Sequence, residues 1–197
     1  LMKGFRALVM TSANLSDEPI VSTNEDARNR LDAVADSYLL HDREIAAACD
    51  DPVMRWMEVA PSPIRLGRGL IPSVLPLRSE GPCVLAVGGD LKSAFCFAQG
   101  NHAYMSAHVG DLSTPGAVKR LHRDIAHFER LFRLTPAAVA ADLHPGYHSR
   151  EFAVEYAETR GIPLIEVQHH EAHAASLMAE HAADSAAGEM IACCFDG

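Results

Sequence analysis

The stretch Val167-Gln168-His169-His170-Glu171-Ala172-His173-Ala174 carries the sharpest chemistry in this chain. His169 and His173 stand four residues apart, so on a helix both imidazoles leave one face and can meet a single metal ion. The apolar run 164–167 just before them reads as a parallel strand, which puts the first helical turn at the carboxyl edge of a sheet, where α/β folds place ligands. Asp196 follows a further apolar run at 190–195 and reaches the same edge. Two imidazoles and one carboxylate with open positions suit Fe(II), Zn or a similar divalent ion. The same residues also fit a polar helix start with solvated histidines and an aspartate turn.

Weaker signals surround this one. Gly88-Gly89-Asp90-Leu91-Lys92 offers glycine N–H groups and an ammonium for a phosphate, or an ordinary hairpin turn. Asp142-Leu143-His144-Pro145 sits at the end of another strand; His144 and Tyr147 either touch a substrate or cap the loop. His108-Val109-Gly110-Asp111 reads as a structural turn. Ser12 and Asn14 place short polar groups after an apolar run and suit a nucleotide or acyl phosphate as well as turn chemistry. Arg65 and Arg68 can clamp phosphate oxygens or belong to a solvated basic loop. His122, His127 and His181 decorate helix surfaces.

The elements that must hold these groups divide the chain. In the first 70 residues, 7–10 reads as a short buried strand. A helix capped by Thr23 or Asn24 follows, with Glu25 and Asp26 in its first turn and Ala27, Leu31 and Val34 on one face. Residues 37–40 and 52–60 are further candidate strands, and 65–69 a short, flexible basic segment. Residues 71–82, with Pro72, Pro76, Gly81 and Pro82, read as a linker. Strands at 83–87, 94–98 and 102–106, joined by turns at 88–90 and 100–101, predict an antiparallel meander. A helix over 115–133 opens on Pro115 behind Ser113 and Thr114, with Val118, Leu121, Ile125, Phe128 and Phe132 along one stripe. Strands at 137–141, 164–167 and 190–195 then alternate with helices at 149–160 and 169–182, Gly161 and Pro163 closing the middle helix. Such alternation predicts an α/β fold with a parallel sheet covered by helices. The succession is similar to one half of the actin-like ATPase and sugar-kinase (ribonuclease H-like) fold.

Composition narrows the function classes. Among 197 residues, 17 Lys and Arg face 26 Asp and Glu, a formal charge of −9, which argues against a nucleic-acid binder. No apolar run approaches the ~20 residues that span a bilayer. Five cysteines form no CxxC, which excludes a zinc finger, and four of them sit inside apolar stretches, which fits buried reduced thiols in a cytoplasmic protein. A first residue other than Met and a last one directly after a strand-like run read as the ends of an excised piece.

Taken together, MTSANLSDEPI from Met10, HDREI from His41, GGDLKSAF from Gly88, HVGDL from His108, DLHPGYHSR from Asp142, VQHHEAHAAS from Val167 and FDG from Phe195 resemble the HypF family of carbamoyltransferases. The resemblance runs through most of the chain and implies that 1–70 is the C-terminal part of a YrdC-like adenylate-forming domain. It makes 71–82 a linker and 83–197 the first half of the actin-like transfer domain shared with tRNA threonylcarbamoyl transferases. Members of that family mature [NiFe] hydrogenases. From carbamoyl phosphate and ATP, with Mg, they form carbamoyl adenylate and pass the carbamoyl group to the C-terminal cysteine of a HypE-type partner. On this sequence the resemblance implies His169, His173 and Asp196 as metal ligands. Ser12, Asn14, Arg65, Arg68 and Lys92 then bind nucleotide or carbamoyl adenylate; no catalytic residue is assigned. Arg65-Leu66-Gly67-Arg68 departs from the Arg-Ser-Arg-Gly of relatives, which bears on its phosphate contacts. The chain alone, without the modules expected on either side, is not expected to run the whole reaction. Three other readings stay open: an O-carbamoyltransferase, in which the two modules come in the reverse order; a tRNA threonylcarbamoyl transferase relative, against which the charge speaks; and a non-catalytic actin-like binding module.

Overall fold

Thr114 and Pro115 start the longest helix as the sequence predicts. The Thr114 hydroxyl accepts the Ala117 N–H, and α2 runs Pro115–Phe132 with Leu121, Ile125 and Phe128 buried. In the computed structural model, which describes residues 4, 6–15, 18, 20–181 and 191–196, the chain forms two compact units, Leu1–Ala48 and Cys49–Gly197.

The first unit holds α1, Asn24–Leu31, whose N-cap Thr23 accepts the Asp26 N–H at 3.0 Å. Leu31 is buried, while Val34 is exposed. The strands expected at 7–10 and 37–40 are absent: Leu8, Val9 and Met10 are exposed and no described residue of this unit belongs to a strand. An apolar run forms a strand only where a ladder partner takes up its N–H and C=O groups, and the unit supplies none among the described residues.

The second unit opens with a hairpin, β1 (Val53–Met57) against β2 (Ala60–Arg65). Its main sheet has the order β4-β3-β5-β6, with β3 Ser73–Ala86, β4 Cys96–Met105, β5 Ala138–Asp142 and β6 Leu164–Val167. β3 and β4 are antiparallel, whereas β3, β5 and β6 run parallel. Helix α2 lies between β4 and β5, α3 (His148–Arg160) between β5 and β6, and α4 (His169–Glu180) follows β6. The core joins Leu85 and Val87 to Phe95, Phe97, Val139 and the α2 stripe. There Phe128 meets Phe95 edge-on, with 5.0 Å between ring centroids.

Three expectations need correction. Residues 71–82 are not featureless linker, because β3 begins at Ser73 and pairs with β4 along that stretch. Its prolines are tolerated because β5 pairs only with Val84–Ala86, leaving the earlier part of β3 as an edge ribbon. Gly100 is not a hairpin turn but an interruption inside β4. It lies opposite Gly81 with φ +58, and the register shifts on both sides of that pair, so the meander has two long strands rather than three short ones. Residues 191–196 carry no strand, and Ile191 and Phe195 are almost fully exposed; Met190 and position 182 of the last expected helix lie outside the described residues.

Candidate metal centre

The parallel pairing Ala86↔Ala140 and Asp142↔Val167 lines up the carboxyl ends of β3, β5 and β6. Beyond them lies a cleft of about 320 Å³, bordered by Gly88, Gly89, Ala140, Asp142, His169 and His173. Small residues form this edge, so the space above the strands stays open. Gly88 is the constrained one, with φ +61 and only 3.0 Å between a would-be Cβ and the Ala94 carbonyl oxygen, while a Cβ on Gly89 would reach ordinary contact with the Tyr147 ring and His169 Cε1.

Gln168 starts α4 at this edge. Its side-chain oxygen accepts the N–H groups of His170 (2.6 Å) and Glu171 (3.1 Å), satisfying two first-turn donors. His169 and His173 then stand one turn apart with their Nε2 atoms 3.2 Å from each other. Asp196 Oδ2 lies 2.8 Å from His169 Nε2 and 3.2 Å from His173 Nε2. The three side chains offer donor atoms within 4.8 Å of one another and remain open to solvent on one side. Two borderline nitrogens and a hard oxygen, with room for further ligands, fit a divalent ion such as Zn or Fe(II).

Behind His169 stands Asp142, the last residue of β5. Its Oδ2 lies 2.5 Å from His169 Nδ1, and its Oδ1 accepts the His144 N–H at 2.8 Å. The Asp142 side chain is only 7% exposed, so both oxygens are spoken for in a dry position. The hydrogen bond to Asp142 pulls His169 above the ordinary imidazole pKa; partial burial opposes this, and the charges of Asp142 and Asp196 add to the rise.

Asp90 ties the glycine turn to α3. Tyr147, the N-cap of that helix, makes no side-chain cap bond. Asp90 caps in its place: Oδ2 accepts the His148 N–H and faces His148 Nδ1, and Oδ1 accepts the Ser149 N–H, at 2.8–2.9 Å. Burial raises the Asp90 pKa, but the N–H groups of Ser149 and His148 outweigh it and hold the carboxyl below its ordinary range.

The other sequence candidates of the second unit are not among the residues that line the cleft. Lys92 is exposed at the end of the glycine turn with φ +50, and its backbone N–H donates to Asp111 Oδ1 at 2.6 Å. The His108–Asp111 stretch, coded here by residues 108–111, is the structural clamp on that turn: Ser93 N–H donates to the Gly110 carbonyl and Val109 N–H to that of Ser93. The basic segment at 65–69 is not flexible. Arg68 meets Asp51 Oδ1 at 2.6 Å, Arg65 Nη2 donates to the Asp51 carbonyl at 3.0 Å, and Gly67 packs against the backbone of 50–52. Ser12 and Asn14 form a turn in the first unit, with the Asn14 N–H on the Ser12 carbonyl and Asn14 Oδ1 buried without a hydrogen-bond partner. His144 stacks on Tyr147 at 4.4 Å between ring centroids. The cysteines are all free, and none is fully buried as the sequence suggested: Cys193 is exposed and the other four are half-buried.

Sequence reasoning placed Asp142 at the strand end but missed its bond to His169, and it missed Asp90 as a helix cap. An aspartate ending a buried parallel strand, one crossover before a histidine helix, is the signal available for the first.

Comparison with known proteins bears on the same residues. A family model of the HypF Kae1-like domain matches residues 79–180, which hold every parallel pairing of the sheet and α4, and a second, described as telomere recombination (Sua5, YciO and YrdC), matches 1–67. Residues 49–67 of the latter match pack within the second unit. The carbamoyltransferase HypF2 of Cupriavidus necator is 45% identical over 184 residues, which is 91% of this chain and 23% of that protein. The crystal structure of full-length HypF in its phosphate- and nucleotide-bound form superposes with a TM-score of 0.80 at 41% identity, over 89% of this chain and 27% of that one. That of T. kodakarensis HypF gives 0.81 at 37%, over 89% and 23%. The chain thus spans about a quarter of the length of the curated relatives it matches. With the sheet, the glycine turn and the histidine helix all inside the matched segment, the chain belongs to the HypF family.

Proposed function

We propose that this chain is part of a carbamoyltransferase of [NiFe] hydrogenase maturation. Residues 1–70 supply the end of a YrdC-like domain, and 83–197 the first half of the transfer domain, joined through the early part of β3. Carbamoyl phosphate, water and ATP, with Mg, yield carbamoyl adenylate, phosphate and pyrophosphate. The thiol of the C-terminal cysteine of a HypE-type partner then displaces AMP and takes the carbamoyl group. The observation that carries this reading is the convergence of His169, His173 and Asp196 beside an open, glycine-lined cleft, in a chain of this family.

His169, His173 and Asp196 would hold a divalent ion, Fe or Zn. Such an ion, when bound, polarises a carbonyl oxygen and stabilises developing negative charge. Gly88 and Gly89 leave room for the adenylate, and the exposed Lys92 neutralises phosphate near the turn. Ser12, Asn14, Arg65 and Arg68 hold nucleotide on the adenylate-forming side; the unpartnered Asn14 Oδ1 supports that role, since a buried acceptor gains from a ligand donor. No helix among the described residues is long and apolar enough to cross a membrane, and the free cysteines suit the reducing cytoplasm.

The test uses the full-length enzyme that carries this chain. Pyrophosphate release from ATP should require carbamoyl phosphate, and mass spectrometry of the partner should show one carbamoyl addition at its terminal cysteine. Replacing both histidines (His169→Ala with His173→Ala) should remove divalent-ion binding and carbamoylation while pyrophosphate release continues. An unmodified partner cysteine with all substrates present refutes the reading.

A further inference from the structure

We propose that Asp142 is the positioning residue of the histidine pair: it fixes His169 as the Nδ1–H tautomer, aims Nε2 at Asp196 and His173, and thereby sets the affinity for a divalent ion. The inference rests on the metal reading above and adds a residue to it. Three observations carry it. Asp142 Oδ2 sits 2.5 Å from His169 Nδ1, while the other ring nitrogen faces Asp196 Oδ2 at 2.8 Å. Asp142 is nearly buried, so no water competes for that oxygen. Its other oxygen is anchored by the His144 N–H at 2.8 Å, which stops the carboxylate from turning.

The physics is directional. An imidazole binds a cation through a ring nitrogen that carries no proton, and the partner of the opposite nitrogen decides which one that is. A carboxylate only accepts, so it demands a proton on Nδ1 and leaves the Nε2 lone pair free. An amide in its place can turn its NH₂ toward the ring and favour the opposite tautomer. Partners of this kind are typically worth roughly 10- to 100-fold in metal affinity.

Asp142→Asn is the informative variant because its amide oxygen can still accept the His144 N–H, preserving the loop. Cobalt(II), titrated alone into the full chain, should bind the variant about 10- to 100-fold more weakly than the parent, with an unchanged thermal midpoint. Long-range ¹⁵N–¹H spectra of the parent, taken above the raised His169 pKa so that the ring carries a single proton, should show that proton on Nδ1. Equal cobalt affinity in parent and variant overturns the proposal, and so does a parent spectrum with the proton on Nε2. The spectrum requires no variant, so it decides even if Asp142→Asn unfolds. Failure of the parent to bind cobalt would sink the metal reading instead, while the spectrum still reports on the Asp142 contact.

Discussion

Asp90→Ala isolates a helix cap supplied from 58 residues away. The substitution strips an acceptor from the Ser149 and His148 N–H groups and from His148 Nδ1. Ser149 has no exposed surface, so water cannot replace the carboxylate there, and an orphaned buried N–H costs about 1–3 kcal/mol. The His148 side chain is about half exposed, and solvent takes over its bonds at little cost. Loss of an N-cap costs about 0.5–2 kcal/mol by itself, so the two routes meet near about 2 kcal/mol. With a urea m-value of about 2 kcal/mol/M, the unfolding midpoint should fall by about 1 M. Because the bonds from Ser149 and His148 outweigh burial and depress the Asp90 pKa in the folded state, its contribution is present above the unfolded carboxylate pKa. That contribution is lost as pH falls through the folded one. Parent and variant midpoints should therefore separate at neutral pH and converge in acid, with the Ser149 amide exchanging faster in the variant. A neutral-pH difference below about 0.5 kcal/mol, or one that acid leaves unchanged, refutes the argument.

Two further outcomes follow from packing. Gly67→Ala places a Cβ 2.5 Å from the Asp50 carbonyl oxygen and 2.6 Å from Pro52 N, both backbone. It should destabilise by about 1–3 kcal/mol, read as a thermal midpoint lower by roughly 2–12 °C; an unchanged midpoint would mean that the 65–69 segment does not pack on 50–52. Burial pushes the Cys96 thiol up to about 11 against the opposing Tyr104 backbone bond. Iodoacetamide near neutral pH should accordingly label the exposed Cys193 well before Cys96, and equal rates would contradict the buried position.

What the sequence disclosed was local. Thr23, Thr114 with Pro115, and Gly161 are caps whose partners lie within a few residues, and each helix starts or stops where they stand. The His169–His173 spacing is equally local, since one helical turn determines it. Long-range pairing was the part that stayed hidden. The prolines of 71–82 looked like linker because nothing nearby announces that β4 will pair with them and leave their other edge free. Gly100 looked like a turn because a positive φ serves a hairpin and a bulge alike. The runs at 7–10 and 191–195 are apolar enough for strands, yet no neighbouring backbone completes a ladder among the described residues.

The two carboxylates that complete the site, Asp142 and Asp196, arrive from opposite sides of that divide. Asp142 is delivered by β5, a strand recognisable from its composition, and its reach to His169 follows from the parallel register Asp142↔Val167 two residues before the histidine. Asp196 arrives without any strand to carry it. Helix α4, meanwhile, has no buried side chain, and a helix of 12 residues is marginal in water unless something docks it. Polar contacts hold its start, namely the Gln168 cap, the Asp142–His169 bond and the approach of Asp196 to both histidines, beside the half-buried Ala174 and Met178. Substitutions that remove these contacts outright, as alanine would at Asp142, disturb the seat of the helix as well as the chemistry at its start, whereas Asp142→Asn keeps a hydrogen-bonding group there. For that reason cobalt affinity is read beside the thermal midpoint, and the His169 tautomer without any variant, because a helix that has merely shifted loses turnover and cobalt alike whichever role Asp142 plays.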